Sequence, residues 1–132
     1  MRPTATATAT TRKRKGEDIE ERTVDFAARI GRVVDALPES RLGRHIAGQL
    51  VRSGTSPAAN YAEACAAESK NDFIHKLGTV LKELRESGVW IKLIGKAELL
   101  PPPRVAPLLD ECEQLSKIIG QSVVTAKASR SR

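Results

Sequence analysis

Four segments of this 132-residue chain repeat apolar residues at alternating steps of three and four, and that pattern leaves few folds open. The third segment is the most regular: Phe73, Leu77, Val80, Leu84, Ile91 and Ile94, with Ser87 filling the single gap. Ile19, Phe26, Ile30, Val33 and Leu37 form the first stripe with Thr23 in register. Ile46, Leu50, Pro57, Tyr61 and Ala64 form the second. Val105, Leu108, Cys112, Leu115, Ile119 and Ala126 form the fourth, with Ser122 in register. Such spacing puts each set on one side of an α-helix. An average step of about 3.5 residues implies coiled-coil-like packing with a left-handed twist. Aromatic residues make up only 3% of the chain, which favours helix packing over a β-sandwich. The expected fold is all-α: an antiparallel, left-handed four-helix bundle, because short connections make sequential helices antiparallel neighbours.

The boundaries follow from capping chemistry. Gly16-Glu17-Asp18 opens the first helix with acids at the positive end of its dipole, and Pro38 closes it by disfavouring helical geometry in Leu37. The second helix is expected from about 39 to 68 and must absorb Pro57, whose missing N–H predicts a kink. Ser69-Lys70-Asn71-Asp72 reads as a capping box with Asp in place of Glu, so a third helix starts there and runs to about Gly95, a candidate left-handed cap. After Pro101-Pro102-Pro103 the fourth helix is expected to reach about Lys127, with Pro107 tolerated near its first turn. The domain division is then a disordered basic tail over 1–16, the bundle over 17–127 and a basic tail over 128–132. Residues 3–11, a Pro followed by alternating Thr and Ala, are too poor in apolar bulk to join a core.

A polar row flanks the second apolar stripe. Gln49, Arg52, Ser56, Asn60 and Glu63 lie along one side of that helix, and Thr79, Glu83, Glu86 and Trp90 line the matching flank of the third. Arg52 is expected to pair with Glu83 or Glu86 across the interface, since a guanidinium fork suits a carboxylate at a partly dry contact. Gln49, Arg52, Ser56, Asn60, Glu63, Glu83 and Glu86 thus read as a structural polar network rather than as acid–base machinery.

These residues carry a resemblance. Arg52-Ser53-Gly54-Thr55-Ser56, Ala59-Asn60-Tyr61, Glu68-Ser69-Lys70, Asp72-Phe73-Ile74, Lys82-Glu83 and Trp90 are similar to the signature of the bacterial four helix bundle protein family, first noticed as proteins encoded by intervening sequences in large-subunit ribosomal RNA genes. The resemblance spans roughly residues 20 to 126 and is densest in the middle. It departs from the family pattern at Pro57-Ala58 and at the three prolines. The family includes the accessory variability protein of diversity-generating retroelements. The resemblance therefore implies a homopentamer with a reverse transcriptase and nucleic acid as partners.

Charge distribution bears on the same question. The net charge of +6 divides unevenly: Arg2, Arg12, Lys13, Arg14 and Lys15 lie in the first 16 residues and Lys127, Arg130 and Arg132 in the last six, leaving 14 basic against 16 acidic residues over 17–126. Arg12, Lys13, Arg14 and Lys15 could neutralise phosphates and release counterions, and Arg41, Arg44 and Arg52 could extend that contact to RNA or DNA. Equally, a short basic run can serve only as a solubilising tail.

Enzyme chemistry has little footing. No Glu-x-x-His occurs, and Asp72 with His75 is the nearest approach to a di-metal carboxylate motif. No Gly-rich phosphate loop is present. Cys65 and Cys112 fit neither a CxxC pair nor a disulfide framework and are expected to be reduced. No catalytic residue, metal or cofactor is assigned. No apolar run approaches the roughly 20 residues a membrane span needs, and the charged start is followed by no apolar segment, so a cytoplasmic location is expected. Val24, Ala27, Val34, Ile74, Leu81, Leu109 and Ile118 lie off the four stripes and suggest an intermolecular face, hence a homo-oligomer. The sequence therefore points to a non-enzymatic, oligomeric scaffold that binds nucleic acid, with the resemblance adding an accessory role beside a reverse transcriptase. A protein–protein adaptor with no nucleic-acid role is the alternative.

Overall fold

A computed structural model describes residues 15–130. It contains four helices: α1 (Lys15–Ala36), α2 (Arg41–Cys65), α3 (Lys70–Lys96) and α4 (Pro102–Arg130). Residues 1–14 and 131–132, and with them Arg12, Lys13, Arg14 and most of the expected N-terminal tail, lie outside the described residues. The connections are short, and each helix packs on its sequence neighbours, while α1 closes the ring against α4 along a shorter line. Cross-links run in opposite senses along neighbours: Arg52 meets Glu86 and Glu63 meets Lys76, while Cys112 meets Leu84 and Arg130 meets Asn71. Sequential helices are therefore antiparallel.

The four expected stripes form the core. Phe26, Ile30, Ile46, Leu50, Leu77, Leu84, Ile91, Ile94, Leu115 and Ile119 have no exposed surface. Burying each such side chain contributes roughly 1.5–3 kcal/mol. Polar residues in register are accommodated locally. The Thr23 hydroxyl donates to the Glu20 carbonyl at 2.8 Å, and Ser87 donates to Ser53 at 2.9 Å with both residues fully buried. Small residues let α1 and α2 close up beside that pair, since a Cβ on Gly54 would stand 2.7 Å from Ile30 Cγ1.

Capping sets the ends. Ser40 accepts from the Gly43 amide at 3.0 Å and Ser69 from the Asp72 amide at 3.1 Å, so α2 starts two residues later than expected and α3 where expected. Gly43 is required by its surroundings, because a Cβ there would lie 2.1 Å from the Pro38 carbonyl oxygen. The helix α2 is continuous through Pro57, which is buried, and ends at Cys65.

The end of α3 differs from the expectation. Gly95 keeps a negative φ, and the left-handed position falls on Glu98, with φ 56°. Leu99 donates to the Ile94 carbonyl at 3.0 Å and Glu98 to the Gly95 carbonyl at 3.1 Å. These two bonds make a Schellman motif whose left-handed site lies beyond Ala97. The register is set by Leu99, which packs on the core, rather than by the glycine. At the other end of the chain α4 continues to Arg130, three residues past the expected limit.

Most of the surplus apolar residues also find places in the bundle. Ile74 is buried, and Val34, Leu81, Leu109 and Ile118 pack against the edge of the core. Val24, 52% exposed, is the clear exception among them.

Candidate nucleic-acid interface

The side of α3 that faces α2 carries its acids. Asn60 Nδ2 donates to Glu83 Oε1 at 3.0 Å, and Arg52 Nη2 to Glu86 Oε2 at 2.6 Å. Glu86 Oε2 also accepts from Trp90 Nε1 at 3.1 Å, and the Trp90 ring meets His45 edge-on at 5.7 Å between centroids. Burial is the main influence on Glu83 and pushes its carboxyl above the ordinary range, against the opposing pull of Asn60 and Arg52. Of the expected polar network, Arg52, Asn60, Glu83 and Glu86 meet across the α2/α3 seam, with Gln49 a weak partner of Arg52 at 3.4 Å, while Ser56 bonds to the Arg52 carbonyl within its own helix. Glu63 bonds instead to Lys76 at 2.7 Å nearer the other end, and that bond raises the Lys76 ammonium pKa.

With Glu83 and Glu86 turned inward, the outward row of α3 holds four cations and no acid. His75, Gly78, Lys82, Arg85, Val89, Lys92 and Lys96 follow one another at steps of three and four, and all seven are exposed. Among the described residues none of Lys82, Arg85, Lys92 and Lys96 takes part in a hydrogen bond or ion pair. At 1.5 Å per residue the four cations span about 21 Å of a straight helix. Unpaired cations fixed along one line are a footprint suited to a polyanion.

A groove runs beside this row between α3 and α4. Its volume is about 420 Å³. Leu84, Gly88 and Cys112 lie in it, Arg85 and Lys92 stand on the α3 side, and Lys117 with Glu113 on the α4 side. The Cys112 thiol donates to the Leu84 carbonyl at 3.1 Å, and burial raises its pKa to about 12, so it is a packing group.

The other sequence candidates fall elsewhere. Arg41 is exposed in the first turn of α2. Arg44 donates to the Glu39 carbonyl, and Arg52 is occupied by Glu86. Lys15 begins α1. Cys65 is exposed on an apolar cleft of about 840 Å³ that it shares with Tyr61, Phe73 and Lys70 and with no histidine. Asp72 lies in the first turn of α3 with His75 one turn on, and no group of three metal-capable side chains occurs among the described residues. No described helix is long and apolar enough to cross a membrane.

The basic row of α3 was hidden by averaging. Summing the body to a small negative charge hid the fact that acids and bases take different sides of one helix. The signal was present as Lys82, Arg85, Lys92 and Lys96 at helical spacing with no acid in register.

Residues 16–121 match the 23S rRNA-intervening sequence protein family. Among solved structures, a protein of unknown function from the S23 ribosomal protein family of Bacteroides thetaiotaomicron VPI-5482 is similar, with 28% sequence identity and a TM-score of 0.74. That likeness covers 80% of this chain and 97% of the other. No curated protein matches the chain.

Proposed function

Since the chain belongs to the 23S rRNA-intervening sequence protein family, we propose that it is a non-enzymatic scaffold that binds nucleic acid through the outward face of α3. The observation that carries this reading is the row of Lys82, Arg85, Lys92 and Lys96, exposed and unpaired on a helix whose Glu83 and Glu86 are engaged by α2. Each Lys or Arg that neutralises a phosphate releases a condensed counterion, so four aligned cations give binding without sequence readout. We further propose that the scaffold is a homo-oligomer, a pentamer as the resemblance implies, acting in the cytoplasm as an accessory subunit of a reverse transcriptase. Exposed valines on all four helices, Val24, Val51, Val89 and Val124, offer apolar contacts for such an assembly.

A titration of the full chain with structured RNA and duplex DNA at several salt concentrations tests this, beside a variant with Arg12, Lys13 and Arg14 changed to Ala. Binding that persists in the variant with a steep salt dependence places the site on the bundle. Loss of binding in the variant would move it to the tail and refute the role given to α3.

A protein-interaction role has one feature in its favour. Leu42, 39% exposed, lies one helical turn from His45, which is stacked edge-on against Trp90 near Arg52. Tryptophan and arginine are the residue types that most often dominate protein interfaces. Binding of neither RNA nor DNA by the full chain would favour it.

A further inference from the structure

Resting on the reading of α3 just given, we infer that the ligand of this surface is the phosphate backbone of a nucleic-acid duplex, seated in the α3/α4 groove over Gly88. Arg85 and Lys92 face one side of that backbone, and Lys117 reaches it from the other. The groove is open enough for such an approach because Gly88 presents no side chain between Arg85 and Lys92. A Cβ there would only touch Cys112 Sγ at 3.7 Å, so the glycine is not demanded by helix packing. Its smallness instead leaves room in the groove for an oxygen-rich group between three cations. Ser116 donates its hydroxyl to the Cys112 carbonyl at 2.9 Å, which leaves its oxygen as an acceptor only. Glu113 is the one acid on this groove and opposes the anion.

The choice of duplex over single strand comes from what the face lacks and from its rigidity. Single-strand binders gain about 1–3 kcal/mol per base by stacking on aromatic side chains. No Phe, Tyr or Trp stands on the outward row of α3 or in the groove, and the one ring on that row, the His75 imidazole, lies about 20 Å along the helix from Gly88. Phe26 and Tyr61 are buried, and Trp90 is held by Glu86 and His45 on the α2 side. A flexible strand would have to be ordered on this surface with no stacking to offset the entropy, whereas a duplex brings its phosphates already fixed in space. A straight array of cations on a helix suits that second partner. Recognition is then of backbone and shape, with no base preference.

The test is fluorescence anisotropy with the full chain and four probes: a 20-base-pair RNA duplex, the DNA duplex of the same sequence, and unstructured uridine and thymidine oligomers of equal length. Both duplexes bind at least tenfold tighter than the oligomers, and the two duplex arms tell which backbone is preferred. Lys117→Ala weakens duplex binding roughly three- to tenfold and makes the slope of log K against log salt shallower by about 0.9. Glu113→Gln strengthens it about twofold. Gly88→Leu, verified as folded by its melting curve, lowers duplex affinity about tenfold, while Gly48→Leu on the exposed side of α2 does not. Oligomers that bind as tightly as duplexes, or a Lys117→Ala chain that binds unchanged, overturn the inference. In either case the wider reading survives if changing Lys82 and Lys96 to Ala still weakens binding. Absence of binding to all four probes overturns both.

Discussion

Arg22 on α1 grips Glu111 on α4 through two parallel hydrogen bonds, Nε to Oε2 at 3.0 Å and Nη2 to Oε1 at 2.8 Å. This fork joins the first and last helices of the ring at its shortest seam. Both side chains are mostly covered, at 29% and 19% exposed, and the bond to Glu111 raises the guanidinium pKa. Paired charges held bidentately and partly out of water are stronger than ordinary surface pairs.

Arg22→Ala is therefore expected to lower the unfolding free energy by about 1–2 kcal/mol, with Glu111→Ala similar. In a double-mutant cycle by urea denaturation the two losses should overlap rather than add. Additive losses would show that the fork contributes nothing of its own.

Gly54 faces the opposite constraint. Replacing an interior helical glycine with Ala normally gains up to about 1 kcal/mol. Here the new methyl would collide with Ile30, fully buried on α1, so Gly54→Ala is expected to cost about 1–3 kcal/mol. Pairing it with Ile30→Ala, which removes both γ carbons the methyl would meet, should cost less in thermal melts than the two single losses added together.

Glu98 occupies a left-handed backbone position that Gly adopts without steric cost. Glu98→Gly should stabilise the protein by roughly 0.5–1 kcal/mol, and Glu98→Val should destabilise it by more. Chemical denaturation of the two variants decides.

The Glu83 carboxyl titrates above its ordinary value of 4.5 because burial disfavours its charge. Its folded pKa exceeds the unfolded one, so folding favours the protonated form. Stability from this group is therefore gained as pH falls through the folded pKa toward 4.5 and is absent at neutral pH. Glu83→Gln keeps an acceptor for Asn60 without the charge and is expected to match or exceed the wild type at pH 7 by up to about 0.5 kcal/mol. The gap should narrow as both are measured at lower pH.

Cores and caps were largely legible in the sequence, and surfaces were less so. Every position of the four apolar stripes is buried or packed on the core except Ser122, which is half-buried, because a period of three and four has only one side to bury. Ser69 caps α3 through Asp72 as its spacing implied. The Arg52 pairing required choosing between two acids one helical turn apart, and the choice of Glu86 depends on α2/α3 register, which no local pattern specifies. Gly95 was misleading because the cap forms where Leu99 can reach the core, not where the glycine is. The α3 basic row was readable by the same periodicity that revealed the core, yet its isolation depends on Asn60 and Arg52 drawing Glu83 and Glu86 away, a tertiary fact.

The most direct measurement of the central claim is the salt dependence of duplex binding by the full chain, beside a variant with Lys82, Arg85, Lys92 and Lys96 all changed to Ala. Four phosphate contacts predict a log–log slope steeper by about 3.6 in the wild type, and affinity at low salt lower by at least a hundredfold in the variant. A variant that stays folded and keeps both the slope and the affinity of the wild type would contradict the assignment of α3 as the nucleic-acid surface.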